Sequence, residues 1–89
     1  MKAIRQWRVE ILIGEDDGRT YAEARLISDT PTDLVGVGWA RLSSHDTDVP
    51  EIGDEVAVAR ALRQLGTRML ETASDDIHDI THEDVHLTH

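Results

Sequence analysis

The chain has no cysteine and no phenylalanine, and only three of its 89 residues are aromatic: Trp7, Tyr21 and Trp39. Without cysteine it lacks a disulfide framework and a thiolate for catalysis or zinc binding, which favours a reducing compartment. No apolar run approaches the roughly 18 residues that cross a bilayer, and no apolar signal region follows the basic residues near the N-terminus. The sequence therefore predicts a cytoplasmic protein that is neither exported nor membrane-spanning.

Basic residues are absent from the last nineteen positions. The net charge is −9, and residues 71–89 hold six of the eighteen acidic residues but neither Lys nor Arg. Residues 1–70 hold all nine basic residues against twelve acidic ones, so this part is nearly neutral. An acidic total argues against nucleic acid as a partner, because phosphate binding draws its affinity from Lys and Arg. The uneven distribution weakens that argument for residues 1–70.

A chain of this length forms one domain. We expect residues 1–89 to be a single unit with an ordered core over about 5–73 and a short C-terminal segment over 74–89. A domain of this size buries only roughly 60 to 65 per cent of the surface that its unfolded chain exposes. Because aromatic residues are few, the core must consist of Val, Ile, Leu and Ala. Dimerisation would add to the limited stability that such a core provides.

Alternating polarity predicts three strands. Residues 5–14 alternate with a period of two, and an Asp-Gly pair typical of a tight hairpin separates them from a second strand over 19–28. A third strand over 34–42 contains Gly36 and Gly38 on one face. Two glycines on one face leave room for a close approach, most simply by a helix or a partner strand.

A long helix is predicted from Pro50 to about Thr72, because Pro and several acidic residues begin a helical pattern. Its apolar stripe is expected to face the sheet and consists of Val58, Leu62, Leu65 and Met69, with Ala59, Gly66 and Ala73 beside them. Ser74 followed by two aspartates predicts the cap of a further helical turn. The predicted fold class is α+β: a three-stranded antiparallel sheet in the order β-β-β-α, with one long helix and a short C-terminal helical tail.

One helix covers only one face of such a sheet, and the third strand has apolar residues on both faces. Val35, Val37 and Trp39 share one side, and with Trp7 they are predicted to belong to a dimer interface or to the core. We expect a homodimer, because a monomer would leave this surface exposed. In the alternative, the C-terminal segment folds back over the second face with its apolar residues Ile77, Ile80, Val85 and Leu87.

Candidates for catalytic or metal chemistry are few. The sequence has no nucleophile elbow and no Walker-type phosphate loop, and its glycine pair lacks the rest of a dinucleotide fingerprint. His78, His82 and His86 recur every four residues, so on a continuous helix they share one face and are a weak candidate for a divalent metal site. Capping or packing explains them more simply. We therefore expect no enzyme activity, no catalytic residue, no cofactor and no small-molecule substrate.

The only basic cluster that could meet RNA or a ribosome combines the end of the third strand with the helix: Arg41, Arg60, Arg63 and Arg68. Surface solvation and salt bridges to Glu55 and Glu71 explain these arginines more simply. Trp7 and Trp39 could stack on bases, but the sequence does not interleave aromatic and basic residues.

Several segments resemble a known family. They are Trp-Arg-Val-Glu-Ile at 7–11, Leu-Val-Gly-Val-Gly-Trp-Ala-Arg-Leu at 34–42, and Val-Pro-Glu-Ile-Gly-Asp-Glu at 49–55, followed by Val-Ala-Arg-Ala-Leu at 58–62. Together they are similar to a small actinobacterial domain-of-unknown-function family with a fold like that of double-stranded-RNA-binding domains. Some of its members belong to a hypoxia or dormancy response. The resemblance covers about residues 5–82.

The resemblance implies a three-stranded sheet with a helix, a homodimer, and a likeness to ribosome hibernation factors, which inactivate ribosomes during stress. Two functions are therefore expected. In the first, the homodimer is a stress or dormancy factor that docks on the ribosome or on ribosomal RNA through its arginines. In the alternative, it is an acidic protein–protein interaction module that binds another protein through its sheet edge or tail, without ribosome or nucleic-acid contact.

Overall fold

A computed structural model describes residues 3–41, 50–81 and 87. Within these ranges three strands and one helix follow one another: β1 (Arg8–Asp16), β2 (Arg19–Ile27), β3 (Val35–Arg41) and α1 (Pro50–Thr81). The strands form one antiparallel sheet in the order β1-β2-β3. The predicted α+β architecture and element order are confirmed. Leu42, the last residue of the third strand as predicted, lies outside the described residues.

A two-residue turn joins β1 to β2. Asp17 has a φ of 54° and Gly18 a φ of 73°, so both central residues adopt the left-handed conformation that matches the twist of a hairpin. Asp16 therefore pairs with Arg19, and the register continues to Arg8 opposite Ile27. The hairpin predicted from the Asp-Gly pair is confirmed.

The strand register decides which residues face the helix. Ala22 and Ala24 of β2 lie opposite Gly38 and Gly36 of β3 and are fully buried under α1. The alternate residues, including Val35, Val37 and Trp39, point to the other side of the sheet, which we call the open face. This division of β3 into two faces agrees with the sequence prediction.

Backbone meets backbone where α1 crosses β3. A Cβ atom built on Gly36 would overlap main-chain atoms of Ala61 and Leu65, and one built on Gly38 would overlap main-chain atoms of Ala57 and Ala61. Real Cβ atoms do not come this close to main-chain atoms, so only glycine permits the observed approach. The helix, rather than a partner strand or a ligand, is what the two glycines accommodate.

The core is thin because it consists mainly of small side chains. It contains Ala22, Ala24, Leu26, Ala40, Ala57, Ala61 and Leu65. The helix residues buried against the sheet are therefore Ala57, Ala61 and Leu65, with Val58 and Met69 partly buried beside them. The predicted stripe was right for Val58, Leu65 and Met69. It was wrong for Leu62, which is 43% exposed, and for Ala59, Gly66 and Ala73, which lie on the other side of the helix. Hydrophobic size favoured Leu62 in the sequence, but an approach this close admits only small side chains above the glycines.

The helix is longer than predicted. It runs without a break through Ser74 to Thr81, over 32 residues or about 48 Å, so the predicted end near Thr72 was wrong. Ile77 and Ile80 continue along this helix, and Ile80 is 79% exposed. These two residues therefore do not fold back over the open face, as the alternative required. No helix within the described ranges is long and apolar enough to span a bilayer.

The helix lies over β2 and β3 and barely reaches β1. Val9, Ile11 and Ile13 of β1 pair with the buried side of β2 and so point to the helix side of the sheet. They nevertheless remain exposed, Ile11 to 40%. The uneven placement of α1 leaves an apolar strand uncovered at one edge of the sheet.

Replacing Gly38 with Ala should destabilise the fold by about 3 kcal/mol or more, because the new methyl group must displace the helix backbone. Gly14→Ala is the matched control, since Gly14 also lies within a strand but a Cβ there meets nothing within 4 Å. Its free energy of unfolding should equal or slightly exceed that of the wild type. Denaturant unfolding at one protein concentration measures both, and equal stability of the two variants would contradict the close approach.

Candidate interaction site on β3

The outer edge of β3 is capped by side chains from α1. Main-chain groups of an edge strand that point away from the sheet have no strand partner and must find other partners or water. Three hydrogen bonds provide them: Arg60 Nη1 donates to Trp39 O over 2.6 Å, Gln64 Oε1 accepts from Val37 N over 2.7 Å, and Arg68 Nη1 donates to Val35 O over 2.7 Å. The helix thus closes this edge with polar side chains.

The match between helix and strand has a geometric origin. Arg60, Gln64 and Arg68 are four residues apart, a rise of about 6 Å on the helix. Their partners on β3 are two residues apart, a rise of about 6.8 Å on an antiparallel strand. The two repeats agree within about 1 Å per step, so a helix that lies along the strand can place a side chain on every second residue of its edge.

Trp39 is the centre of an aromatic and basic cluster on the open face. Its ring is 49% exposed and lies 4.9 Å from that of Tyr21, centroid to centroid, at an interplanar angle of 56°. The Cζ atom of Arg19 lies 5.0 Å from the Trp39 centroid, a distance typical of a cation–π contact. Arg41 lies directly opposite Arg19 in the sheet. Cross-strand pairing thus interleaves aromatic and basic residues that are far apart in the sequence.

A shallow pocket of about 340 Å³ opens beside these rings and is lined by Gly14, Glu15, Asp16, Arg19, Tyr21 and Trp39. Gly14 lies opposite Tyr21 in the register, and its missing side chain leaves the space beside the ring open. Nothing in the described part of the chain contacts this position, and the close approach of a ligand or of another backbone is one reason for a glycine inside a strand. The pocket is therefore lined by two aromatic rings and one guanidinium, together with the acidic residues Glu15 and Asp16.

Five of the nine basic residues gather along β3. We call them the β3 arginine band: Arg19, Arg25, Arg41, Arg60 and Arg68. Glu23 partly neutralises Arg25 at 3.5 Å, and Asp16 lies beside Arg19 in the register. The end of β3 at Trp39, with Arg19, Arg41 and Arg60, is therefore its more positive part. A guanidinium has five N–H donors, so Arg60 and Arg68 keep donors for a ligand while they cap the strand.

The structure brings three of the four predicted contact arginines together. Arg41, Arg60 and Arg68 belong to the β3 arginine band, whereas Arg63 is exposed on α1 outside the band. Sequence reasoning missed Arg19, Tyr21 and Gln64. The Asp-Gly turn could have fixed the pairing of β1 with β2, but the sequence carries no comparable signal for the pairing of β2 with β3.

The residues predicted for a dimer interface or the core lie on the surface of the protomer. Trp39, Val35 and Val37 are on the open face, and Trp7 precedes β1 at the opposite edge of the sheet. Neither tryptophan belongs to the buried core. The prediction that these four residues belong to a dimer interface or to the core stays a prediction.

Only one of the three histidines predicted as a metal site lies among the described residues. His78 lies in α1, while His82 and His86 fall outside the described residues. Across residues 3–41, 50–81 and 87, no group of three or more His, Asp or Glu side chains is placed to hold a metal ion. The prediction for the three histidines therefore stays a prediction.

Comparison with known proteins gives consistent matches over most of the chain. The family model described as Rv2632c-like matches residues 5–86. The uncharacterized protein Mb1767 of Mycobacterium bovis is 50% identical over 84 residues, which are 94% of this chain and 88% of that protein. The uncharacterized protein Rv2632c of Mycobacterium tuberculosis is 46% identical over 78 residues, 88% and 83% of the two chains. The crystal structure of Rv2632c superposes with a TM-score of 0.81 at 42% identity, over 93% of this chain and 99% of that one.

The capping of β3 predicts unequal effects for two arginines on the same helix. Arg68→Ala removes a hydrogen bond to a strand carbonyl and should lower the free energy of unfolding by about 1 kcal/mol. Arg63→Ala, its matched control, should change it by less than about 0.5 kcal/mol. Denaturant unfolding of both variants measures the difference. Equal losses would show that the Arg68 contact does not stabilise the strand edge.

Proposed function

The chain belongs to the Rv2632c-like family, and from that premise we propose that it is a non-enzymatic, cytoplasmic RNA-contacting protein that associates with ribosomes as a homodimer. We assign it to the stress or dormancy response, in the manner of a ribosome hibernation factor. Its sheet with one covering helix is compatible with the proposed likeness to double-stranded-RNA-binding domains. The contact surface in this proposal is β3 and the open face beside it.

One observation carries the proposal: the β3 arginine band concentrates positive charge on a chain whose net charge is −9. Affinity for RNA depends on the local density of Lys and Arg near phosphates, and the Debye length of about 8 Å at physiological salt screens acidic residues farther away. The acidic residues near the end of α1, Asp75, Asp76 and Asp79, lie in the part of the helix beyond its contacts with the core. A local cationic surface can therefore bind phosphates on an acidic protein.

Trp39 supports RNA over other anionic partners. Its exposed ring, with Tyr21 on one side and Arg19 near its face, resembles the stacking platforms on which single-stranded bases lie. The open space at Gly14 admits a flat group beside the rings. In this proposal Arg41 and Arg60 contact phosphates, and an unpaired base stacks against Trp39.

Co-sedimentation with purified actinobacterial ribosomes at several salt concentrations tests the proposal. The Arg19→Glu, Arg41→Glu double variant should bind at least about tenfold more weakly and lower the slope of log affinity against log salt by about one, for the lost phosphate contact of Arg41. Trp39→Ala should cost about 1 to 3 kcal/mol of binding. Arg60 is left unchanged, because its loss would also uncap β3.

The matched control reverses the same number of charges outside the band, in the double variant Arg5→Glu, Arg8→Glu. It should retain most of the wild-type affinity. Equal weakening in both double variants would show that the loss of affinity depends on net charge and not on the β3 arginine band. A wild-type protein that does not pellet with ribosomes at any salt concentration would refute the proposal.

A second candidate function is the protein-interaction module, and β1 favours it. This strand is nine residues long, contains no proline and lies at the edge of the sheet, so it can accept an added strand from a partner. Ile11 and Ile13 offer apolar contacts beside that edge. If Ile11→Lys, Ile13→Lys abolishes association with a cellular protein while the wild-type chain ignores ribosomes, this function replaces the first.

A further inference from the structure

The helix α1 has a second apolar stripe that the sheet does not use. At 100° per residue, Gly66 lies opposite Ala57, the helix residue that contacts β3. The residues within about 40° of Gly66 form the outer stripe: Ile52, Glu55, Ala59, Leu62, Gly66, Leu70, Ala73, Ile77 and Ile80. Ile52 is 54% exposed and Leu62 43%. A helix that is apolar on two opposite sides requires a cover on both of them.

The outer stripe reads the same in both directions from Gly66 at every pair but one, Glu55 and Ile77, which lie eleven residues before and after it. Leucines lie four residues before and after it, at 62 and 70, and alanines lie seven residues before and after it, at 59 and 73. Isoleucines lie fourteen residues away on each side, at 52 and 80. The interface of a two-fold dimer is isologous, so each residue must suit the one that symmetry places opposite. A stripe with this symmetry suits an antiparallel copy of itself.

Among the residues that the structure describes, none packs against Gly66 from outside its own helix. Glycine inside a helix costs roughly 1 kcal/mol relative to alanine, and a Cβ built at Gly66 meets no atom within 4 Å. An apolar groove of about 370 Å³ lies there, lined by Arg63, Gly66, Thr67, Met69 and Leu70. At Gly36 and Gly38 the missing side chains admit a helix, and the same chemistry at Gly66 admits another backbone.

The charge of Glu55 within the stripe disfavours a parallel arrangement. In a parallel, in-register pair the residues in the middle of the seam face their own copies, so Glu55, about 20° from the middle of the stripe, would meet a like charge. In the antiparallel pair centred on Gly66 it lies level with Ile77 of the other copy, a position that follows from the sequence. Opposed helix dipoles add to this preference.

We propose that a second copy of the chain covers the outer stripe, with α1 packed antiparallel on its symmetry mate about a two-fold axis at Gly66. The contact extends from Ile52 to Ile80, roughly 42 Å of helix, and its seven-residue repeat spans four intervals, enough for a coiled-coil seam. The inference rests on the homodimer of the proposed function and gives it a geometry. It leaves β3, the open face and β1 accessible in both protomers.

Single cysteines test the geometry cleanly, because the chain has none of its own. Under mild oxidation Gly66→Cys should form a covalent dimer, since the axis brings the two residues together. Ala59→Cys and Ala73→Cys should not cross-link alone but should do so when mixed, because each faces the other across the axis. Within one chain these positions are about 21 Å apart, too far for a disulfide. Glu71→Cys, exposed and outside the stripe, is the control.

Gly66→Ala is expected to change the stability of the protomer and the affinity of the dimer in opposite directions. Alanine should raise the thermal stability of the protomer, because it favours the helix and meets no neighbour. It should weaken the dimer about tenfold in sedimentation equilibrium, because the methyl groups hold the two helices apart. A tighter or unchanged dimer would contradict the proposal.

Three further results would overturn the inference: a wild-type chain that is monomeric at the cross-linking concentration, Glu71→Cys cross-linking as well as Gly66→Cys, or dimers that cross-link through Ile11→Cys or Trp39→Cys instead. Co-sedimentation of the same variants with ribosomes distinguishes failure of the helix interface from failure of the RNA contact. Failed cross-linking with intact, salt-sensitive ribosome binding would refute only the helix interface. Successful cross-linking without ribosome binding would refute only the RNA contact.

Discussion

The close approach of α1 to β3 is the contact on which the rest of the structure depends. Gly36 and Gly38 bring the helix backbone against the strand, and only alanines fit beneath it at positions 57 and 61. This packing gives a core of small side chains, so the stability of the protomer relies on close contact rather than on large buried residues. It also fixes the helix along β3, which allows Arg60, Gln64 and Arg68 to follow the strand edge.

A helix placed over β2 and β3 cannot also cover β1, and a helix of 32 residues extends beyond a sheet whose strands have at most nine. The same contact that builds the core therefore leaves two apolar surfaces unused, the helix side of β1 and the outer stripe of α1. It also gathers five arginines where the chain as a whole is acidic. The interaction surfaces of this protein are thus consequences of where one helix lies.

Local patterns predicted most of the fold because they involve neighbouring residues. Alternation predicted the strands, Asp17-Gly18 predicted the turn, and the glycine pair predicted a close approach by a helix or a partner strand, of which the structure shows the helix. The contacts that the sequence did not predict are those between residues that lie far apart along the chain. The bonds from Arg60 and Arg68 to β3 span 21 and 33 residues, and the cluster of Arg19, Tyr21 and Trp39 depends on a β2–β3 register that no turn signal specifies. The helix continues past Ser74, where the sequence predicted a cap, because the intrinsic preference of one residue is easily overridden inside a continuing helix.

The most direct test of this account is the exchange rate of the Val37 amide proton, followed by NMR. This N–H points away from the sheet, and Gln64 is its partner in the structure. If the glycines hold α1 against the strand edge as described, the Val37 amide is protected to a degree close to that of amides paired between β2 and β3, and Gln64→Ala removes the protection. Exchange in the wild type at the rate of a solvent-exposed amide would contradict the central claim that α1 caps β3.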